Sequence, residues 1–142
     1  MNRDQLKKEL RRDEGLRLRV YSDSKGYATI GYGHQNSNLR PGDRCSVSQA
    51  EQWLATDLES AIEVARQFLK PIMLEHLSDS RQRAIVNMCY NLGGHINEFK
   101  KMKQAIVDNN WEEAAFQALD SQWRIDVGEG RSNRIADNLR LG

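Results

Sequence analysis

Glu14 closes the segment Leu10-Arg11-Arg12-Asp13-Glu14 and is followed at once by Gly15. Leu6 and Leu10, spaced four apart among charges, predict a short amphipathic helix over residues 3–13 that Gly15 breaks. A carboxylate at a helix C-terminus faces the negative end of the macrodipole, which disfavours its charged form. Folding alone would prefer a lysine there. Asp23 lies in turn chemistry, Ser22-Asp23-Ser24-Lys25-Gly26, and Thr29 lies on the segment that returns from it. A carboxyl group held toward its protonated form, with an aspartate and a threonine close by on a tight hairpin, is equipment for cleaving a glycosidic bond.

Singly, each residue has an ordinary role: a surface glutamate at a helix end, a turn aspartate, a strand threonine. Together they suggest an acid, an anion and a hydroxyl. Glu14 is then the general acid that protonates the leaving oxygen. Asp23 stays ionised and orients a water or stabilises positive charge on the sugar ring, and the Thr29 hydroxyl helps to hold that water. Carboxyls roughly 6.5–9.5 Å apart leave room for the water and give inversion, whereas at roughly 5–5.5 Å Asp23 would attack the sugar itself. His34 has a candidate partner in Asp57, which shares a helix stripe with Leu54 and Ala61. An aspartate on a core-facing stripe needs a counter-charge, so a His34–Asp57 ion pair tying the hairpin to that helix is expected. Trp123, Arg124, Arg131 and Arg134 suit a sugar-binding or a packing role equally, and His76 and His95 receive none.

The elements that must position these groups are readable in outline. Leu16, Leu18 and Val20 alternate with Arg17 and Arg19, a strand pattern, and residues 27–32 read as its return. Residues 35–45 read as loop. Ser46-Val47-Ser48-Gln49 has capping-box spacing and opens a helix with a stripe from Val47 through Leu54, Leu58, Ala65 and Leu69 to about Lys70. At 1.5 Å per residue that helix spans on the order of 35 Å, enough to serve as a spine between two lobes. Helices are expected over 79–92, stopped by Gly93-Gly94, over 97–108, and from a capped start at Asn110. Gly128, Glu129 and Gly130 read as a loop before a last helix from Arg131 to Leu141.

The chain has 142 residues, 39% hydrophobic and 29% charged, which suits one globular domain or a domain of two small lobes. A net charge of +1 carries no overall footprint for nucleic acid. Arg3, Lys7, Lys8, Arg11, Arg12, Arg17 and Arg19 crowd the start, either as a solvated basic face or as attraction to an anionic polymer such as cell wall. Cys45 and Cys89 lack metal-ligand spacing, and Cys89 falls on an apolar stripe as a buried small hydrophobe. There is no phosphate-binding glycine loop, zinc spacing or serine elbow, and no cofactor is expected, because two carboxylates and a water suffice. The first residues lack an apolar signal region and no stretch is long enough to cross a membrane, so an extracytoplasmic target would require another protein to let this one out.

The stretch Asp13-Glu14-Gly15-Leu16-Arg17-Leu18, Tyr21-Ser22-Asp23 and Gly26-Tyr27-Ala28-Thr29-Ile30-Gly31-Tyr32-Gly33-His34 resembles the phage-type lysozymes, the muramidases that include T-even phage lysozyme and many endolysins. The likeness resumes at Ala50-Glu51 through Asp57, Arg83 to Met88, Asn91-Leu92-Gly93, Trp111 to Ala115, Trp123, and Arg131 to Arg134. The resemblance implies an α+β, lysozyme-like fold with a cleft between lobes. A small antiparallel hairpin lobe (residues 14–45) would be joined by a long helix (46–70) to a mainly helical lobe (71–142), on which helix 3–13 packs. It implies hydrolysis of the β-1,4 bond between N-acetylmuramic acid and N-acetylglucosamine, with Glu14 as acid and Asp23 and Thr29 positioning water. It implies substrate contacts at Asn91, Arg131 and Tyr32, and His34–Asp57 as a structural pair. The partner would be bacterial peptidoglycan, with no metal, no nucleic acid and no membrane insertion. A monomer would wait in the host cytoplasm until a separate holin-type protein released it to the periplasm and cell wall. Two alternatives remain at this stage: a lytic transglycosylase, which closes an anhydro ring without water, and a non-catalytic peptidoglycan-binding or phage-particle component. The chain departs from the family pattern in its loop after His34 and in ending at Gly142.

Overall fold

The structure, a computed structural model, describes residues 1–142. It is mainly helical with one small antiparallel sheet, an α+β lysozyme-like arrangement. Residues Arg3–Ser60 form one compact unit, and Met1–Asn2 with Ala61–Gly142 form the other.

In the first unit, α1 (Arg3–Glu14) buries Leu6 and Leu10 completely and ends where Gly15, at φ 70, donates its N–H to the Arg11 carbonyl at 3.0 Å. The sheet runs β1 (Arg17–Ser22), β2 (Ala28–Gly31), β3 (His34–Gln35), in that order and antiparallel. β3 lies at the start of the segment read as loop. Gly31 and Gly33 both adopt positive φ, which turns the chain tightly enough for His34 and Gln35 to pair with Ile30 and Thr29. The same segment returns to β1 further on. The Val20 N–H reaches Asp43 O at 3.1 Å, the Cys45 N–H reaches Leu18 O at 3.0 Å, and Arg19 faces Arg44 across an isolated bridge. The alternation of Leu16 and Leu18 with arginines marks a strand but not a buried face. Leu16 and Leu18 stay 39% and 42% exposed, and the register shifts between Arg17 and Tyr21.

α2 (Val47–Leu69) starts where Ser46 Oγ accepts from the Gln49 N–H at 3.0 Å. Its stripe of Ala50, Leu54, Leu58, Ala61, Ala65, Phe68 and Leu69 is buried, while Val47 in the first turn stays exposed. Each large apolar side chain so covered contributes about 1.5–3 kcal/mol.

In the second unit, α3 (Asp79–Leu92) is capped by Ser78 and buries Ala84, Ile85, Val86, Met88 and Cys89. Burial pushes the Cys89 thiol up to about 12, and both cysteines are free. The single helix expected over 97–108 is instead a 3-10 turn at Gly93–Glu98 and α4 (Lys100–Val107), separated where Phe99 leaves helical geometry at ψ 57. α5 (Trp111–Leu119) starts on the Asn110 side chain, which accepts from the Glu113 N–H at 3.1 Å. α6 (Gln122–Val127), not foreseen, is capped by Ser121 and buries Trp123, and is too short to show a period. α7 runs Glu129–Leu141, so Glu129 and Gly130 are first-turn residues rather than loop. First-turn N–H groups need no intrahelical acceptor, and an acid there suits the dipole, so Gly128 alone makes the break. No helix is long and apolar enough to cross a membrane.

Candidate active site

Glu14 is the last residue of α1, half-buried, and its carboxyl lies against the backbone of Gly33. A Cβ placed on Gly33 would stand 2.6 Å from Glu14 Oε1 and 2.9 Å from Cδ. Only glycine leaves that space, and the φ of +72 at Gly33 asks for glycine independently. One turn before Glu14, Arg11 forks onto Glu51 of α2, Nε to Oε1 at 2.9 Å and Nη2 to Oε2 at 2.7 Å. The Tyr32 hydroxyl donates to Glu51 Oε1 at 3.2 Å. The last turn of α1 and the turn before β3 are thus tied to one carboxylate.

The hydrogen bonds from Arg11 hold the Glu51 carboxyl below the usual glutamate range, while burial, then Glu51 itself, pushes the Tyr32 phenol up. A depressed carboxyl stabilises the fold above its unfolded value, about 4.3, and loses that contribution as pH falls through the folded value. Glu51 is 36% exposed, so solvent screening keeps the effect within roughly 1 kcal/mol. Glu51→Gln is therefore expected to unfold at lower urea than wild type at pH 7, with the gap closing as pH falls below the usual glutamate range. A gap independent of pH would mean that the fork contributes nothing electrostatic.

Asp23 sits inside its own turn. Oδ1 accepts from the backbone N–H groups of Lys25 at 2.9 Å and Tyr27 at 2.8 Å, and Oδ2 accepts from Gln35 Nε2 at 2.7 Å. Thr29 is buried, and its hydroxyl donates to Tyr27 O at 2.9 Å. Strand register places Tyr21 opposite Thr29 on β1 and Gln35 opposite Thr29 on β3, so Tyr21, Thr29 and Gln35 form one cross-strand row on one sheet face. The Arg17 guanidinium lies 4.8 Å over the Tyr21 ring. The Tyr21 phenol is pushed up by burial first and then by the charge of Glu14, with Asp23 adding and Arg17 opposing. Tyr21 is thus within electrostatic reach of both carboxyl groups.

Sequence reasoning passed over Tyr21, Gly33 and Gln35. Gln35 carried one usable signal: a two-residue turn after β2 restores period-two pairing, which puts residue 35 on the face of residue 29.

His34 Nδ1 lies 2.7 Å from Asp57 Oδ2, and its ring stacks on Trp53 at 4.4 Å with 2° between planes. The pair is largely covered, with side-chain exposures of 13% and 29%. Asp57→Asn is expected to cost about 1.5–3 kcal/mol in chemical denaturation at neutral pH, the range for a hydrogen bond to a charged group. A loss below a few tenths would show the contact to be incidental.

Of the residues expected to touch substrate, Tyr32 is buried with its hydroxyl on Glu51. In the second unit, Arg131 is also buried, its Nε and Nη2 donating to Asn87 Oδ1 at 3.0 and 2.8 Å, while Asn91 is exposed on α3. Trp123, left open between sugar binding and packing, is 2% exposed. His95 pairs with Glu98 at 3.0 Å on the surface. No group of His, Cys, Asp and Glu is arranged to hold a metal ion.

Residues 11–137 match the family profile described as phage lysozyme. "Probable T4-type lysozyme 2" of Dictyostelium discoideum is 28% identical, over 96% of this chain and 94% of its own length. An endolysin of Bacillus phage B103 is 30% identical over 82% of this chain and 43% of its own length. "Pre-baseplate central spike protein Gp5" of Enterobacteria phage T4 is 30% identical over 94% of this chain, which spans only 27% of that protein. A glutamate packed on a glycine, beside a hairpin that presents an aspartate and a threonine, is here embedded in a sequence matched almost end to end, and the chain belongs to the phage lysozyme family, as a glycosidase of the lysozyme type.

Proposed function

We propose that the chain hydrolyses the β-1,4 bond between N-acetylmuramic acid and N-acetylglucosamine in peptidoglycan by a single displacement with inversion. Glu14 gives its proton to the leaving oxygen, and Asp23 with Thr29 holds the attacking water, whose proton passes to the Asp23 carboxylate as its oxygen bonds the anomeric carbon. The hydrogen-bond pattern at Asp23 and Thr29 supports this reading most directly. Asp23 Oδ1 already accepts two backbone N–H groups and Oδ2 accepts one from Gln35, which leaves a lone pair on Oδ2. The Thr29 proton is spent on Tyr27 O, so toward a water its oxygen can only accept. A water between them donates both hydrogens to the protein and keeps its own lone pair for the anomeric carbon. Asn91, exposed on α3, and Arg131, bonded to Asn87 of the same helix, are the further contacts proposed for the glycan. As an endolysin the protein acts as a monomer on the cell wall after a separate holin-type protein has released it from the host cytoplasm.

Digestion of purified peptidoglycan tests the chemistry. Hydrolysis with inversion yields reducing ends that carry one added water and first appear as the α-anomer by NMR. Anhydro-muramyl ends would identify a lytic transglycosylase, and β-anomers would make Asp23 the nucleophile. Absence of cleavage would leave a binding module. The likeness to the spike protein favours a second setting for the same reaction, carried within a phage particle.

A further inference from the structure

We propose that Gln35 is a positioning residue for the attacking water, confining it to one place beside Asp23 and Thr29. The inference rests on the hydrolytic reading above and adds a residue to it.

Gln35 Nε2 donates to Asp23 Oδ2 at 2.7 Å and lies 3.5 Å from Thr29 Oγ1. Asp23 accepts only, so it is the amide nitrogen, not the carbonyl, that faces it. Gln35 belongs to β3 directly opposite Thr29, so strand pairing aims its side chain at the pair. Without Gln35, Asp23 Oδ2 and Thr29 Oγ1 each offer two acceptor sites to solvent, and a bridging water has more than one seat. With Gln35, one side of both oxygens is taken. One seat then remains, and its occupant is fixed in direction. The group is uncharged, so it restricts the water without opposing the anionic character of Asp23. The side chain is exposed and its strand contributes only His34 and Gln35, so the fold does not depend on it.

The test compares wild type, Gln35→Met and Gln35→Asn on peptidoglycan fragments in water and in dilute methanol. Glu14→Gln and Asp23→Asn are run beside them. Met keeps the length and loses the donor, and Asn keeps the amide but falls short. For Gln35→Met, kcat is expected to fall by about 10-fold, a modest share of what misplacing a reactant costs. KM should stay within about 2-fold, since ground-state binding is untouched. The methyl glycoside should rise relative to the hydrolysis product, because a less restricted seat admits the larger nucleophile. Asn should behave like Met. Unchanged kcat and unchanged partition in Gln35→Met, with Glu14→Gln and Asp23→Asn inactive, would overturn the role of Gln35 alone. So would a fall in kcat with no change in partition. Full activity in Glu14→Gln or Asp23→Asn would instead remove the hydrolytic reading beneath it.

Discussion

Glu14→Gln is expected to slow clearing of permeabilised Gram-negative cells by roughly 10²–10⁴-fold, the usual share of a positioned general acid. The substitution keeps size, shape and hydrogen-bonding capacity and removes only the transferable proton. Glu14 ends α1 and is half-buried against Gly33, so an amide fits the same space. The melting midpoint should therefore stay near that of wild type, which separates lost chemistry from lost fold. Reduction at saturating substrate, with KM little changed, is the signature of a group that acts in the transition state. Equal clearing by the two proteins would show that the proton comes from elsewhere.

Gly33→Ala carries the second large effect, and it acts through Glu14 without touching its chemistry. The new Cβ would stand 2.6 Å from Oε1, far inside contact distance, so the carboxyl must swing away. A displacement near 1 Å at a reacting group costs about 10²-fold in rate. The φ of +72 adds backbone strain of about 1–2 kcal/mol for any residue with a Cβ. Gly31→Ala is the control. Its φ is +66, so the strain is alike, but its Cβ would meet Ala50 at 3.3 Å and Trp53 at 3.5 Å. Both variants should melt lower than wild type, and only Gly33→Ala should lose most of its turnover per folded molecule. Equal activity losses in the two would mean that instability explains both.

The helical frame was legible because helix signals are local. Leu6 and Leu10, the Ser46 cap and the stripe from Ala50 to Leu69 each announce themselves within a few residues. The identity of Glu14, Asp23 and Thr29 as candidates was legible for the same reason, since they sit at the joints of local elements. Gln35 and Gly33 were not, because their importance comes from contacts across a turn: a register that places residue 35 on residue 29, and a carboxyl lying on a glycine Cα. Short elements also escaped. β3 and α6 are too brief for a period to repeat, and α7 begins ahead of Gly130 because first-turn positions tolerate glycine. Leu18 shows the limit of the period-two signal, since its alternation with arginine marks the strand and yet the side chain stays 42% exposed.

Arg19 and Arg44 stand directly opposite one another where the chain returns to β1. Like charges in that position repel, and folding the hairpin unit must hold them together. Dissolved ions shorten the reach of that repulsion to about 8 Å near physiological ionic strength and about 3 Å at 1 M. Salt therefore relieves this one contact while it weakens the Arg11–Glu51 fork of the same unit, and the two act in opposite directions on its stability.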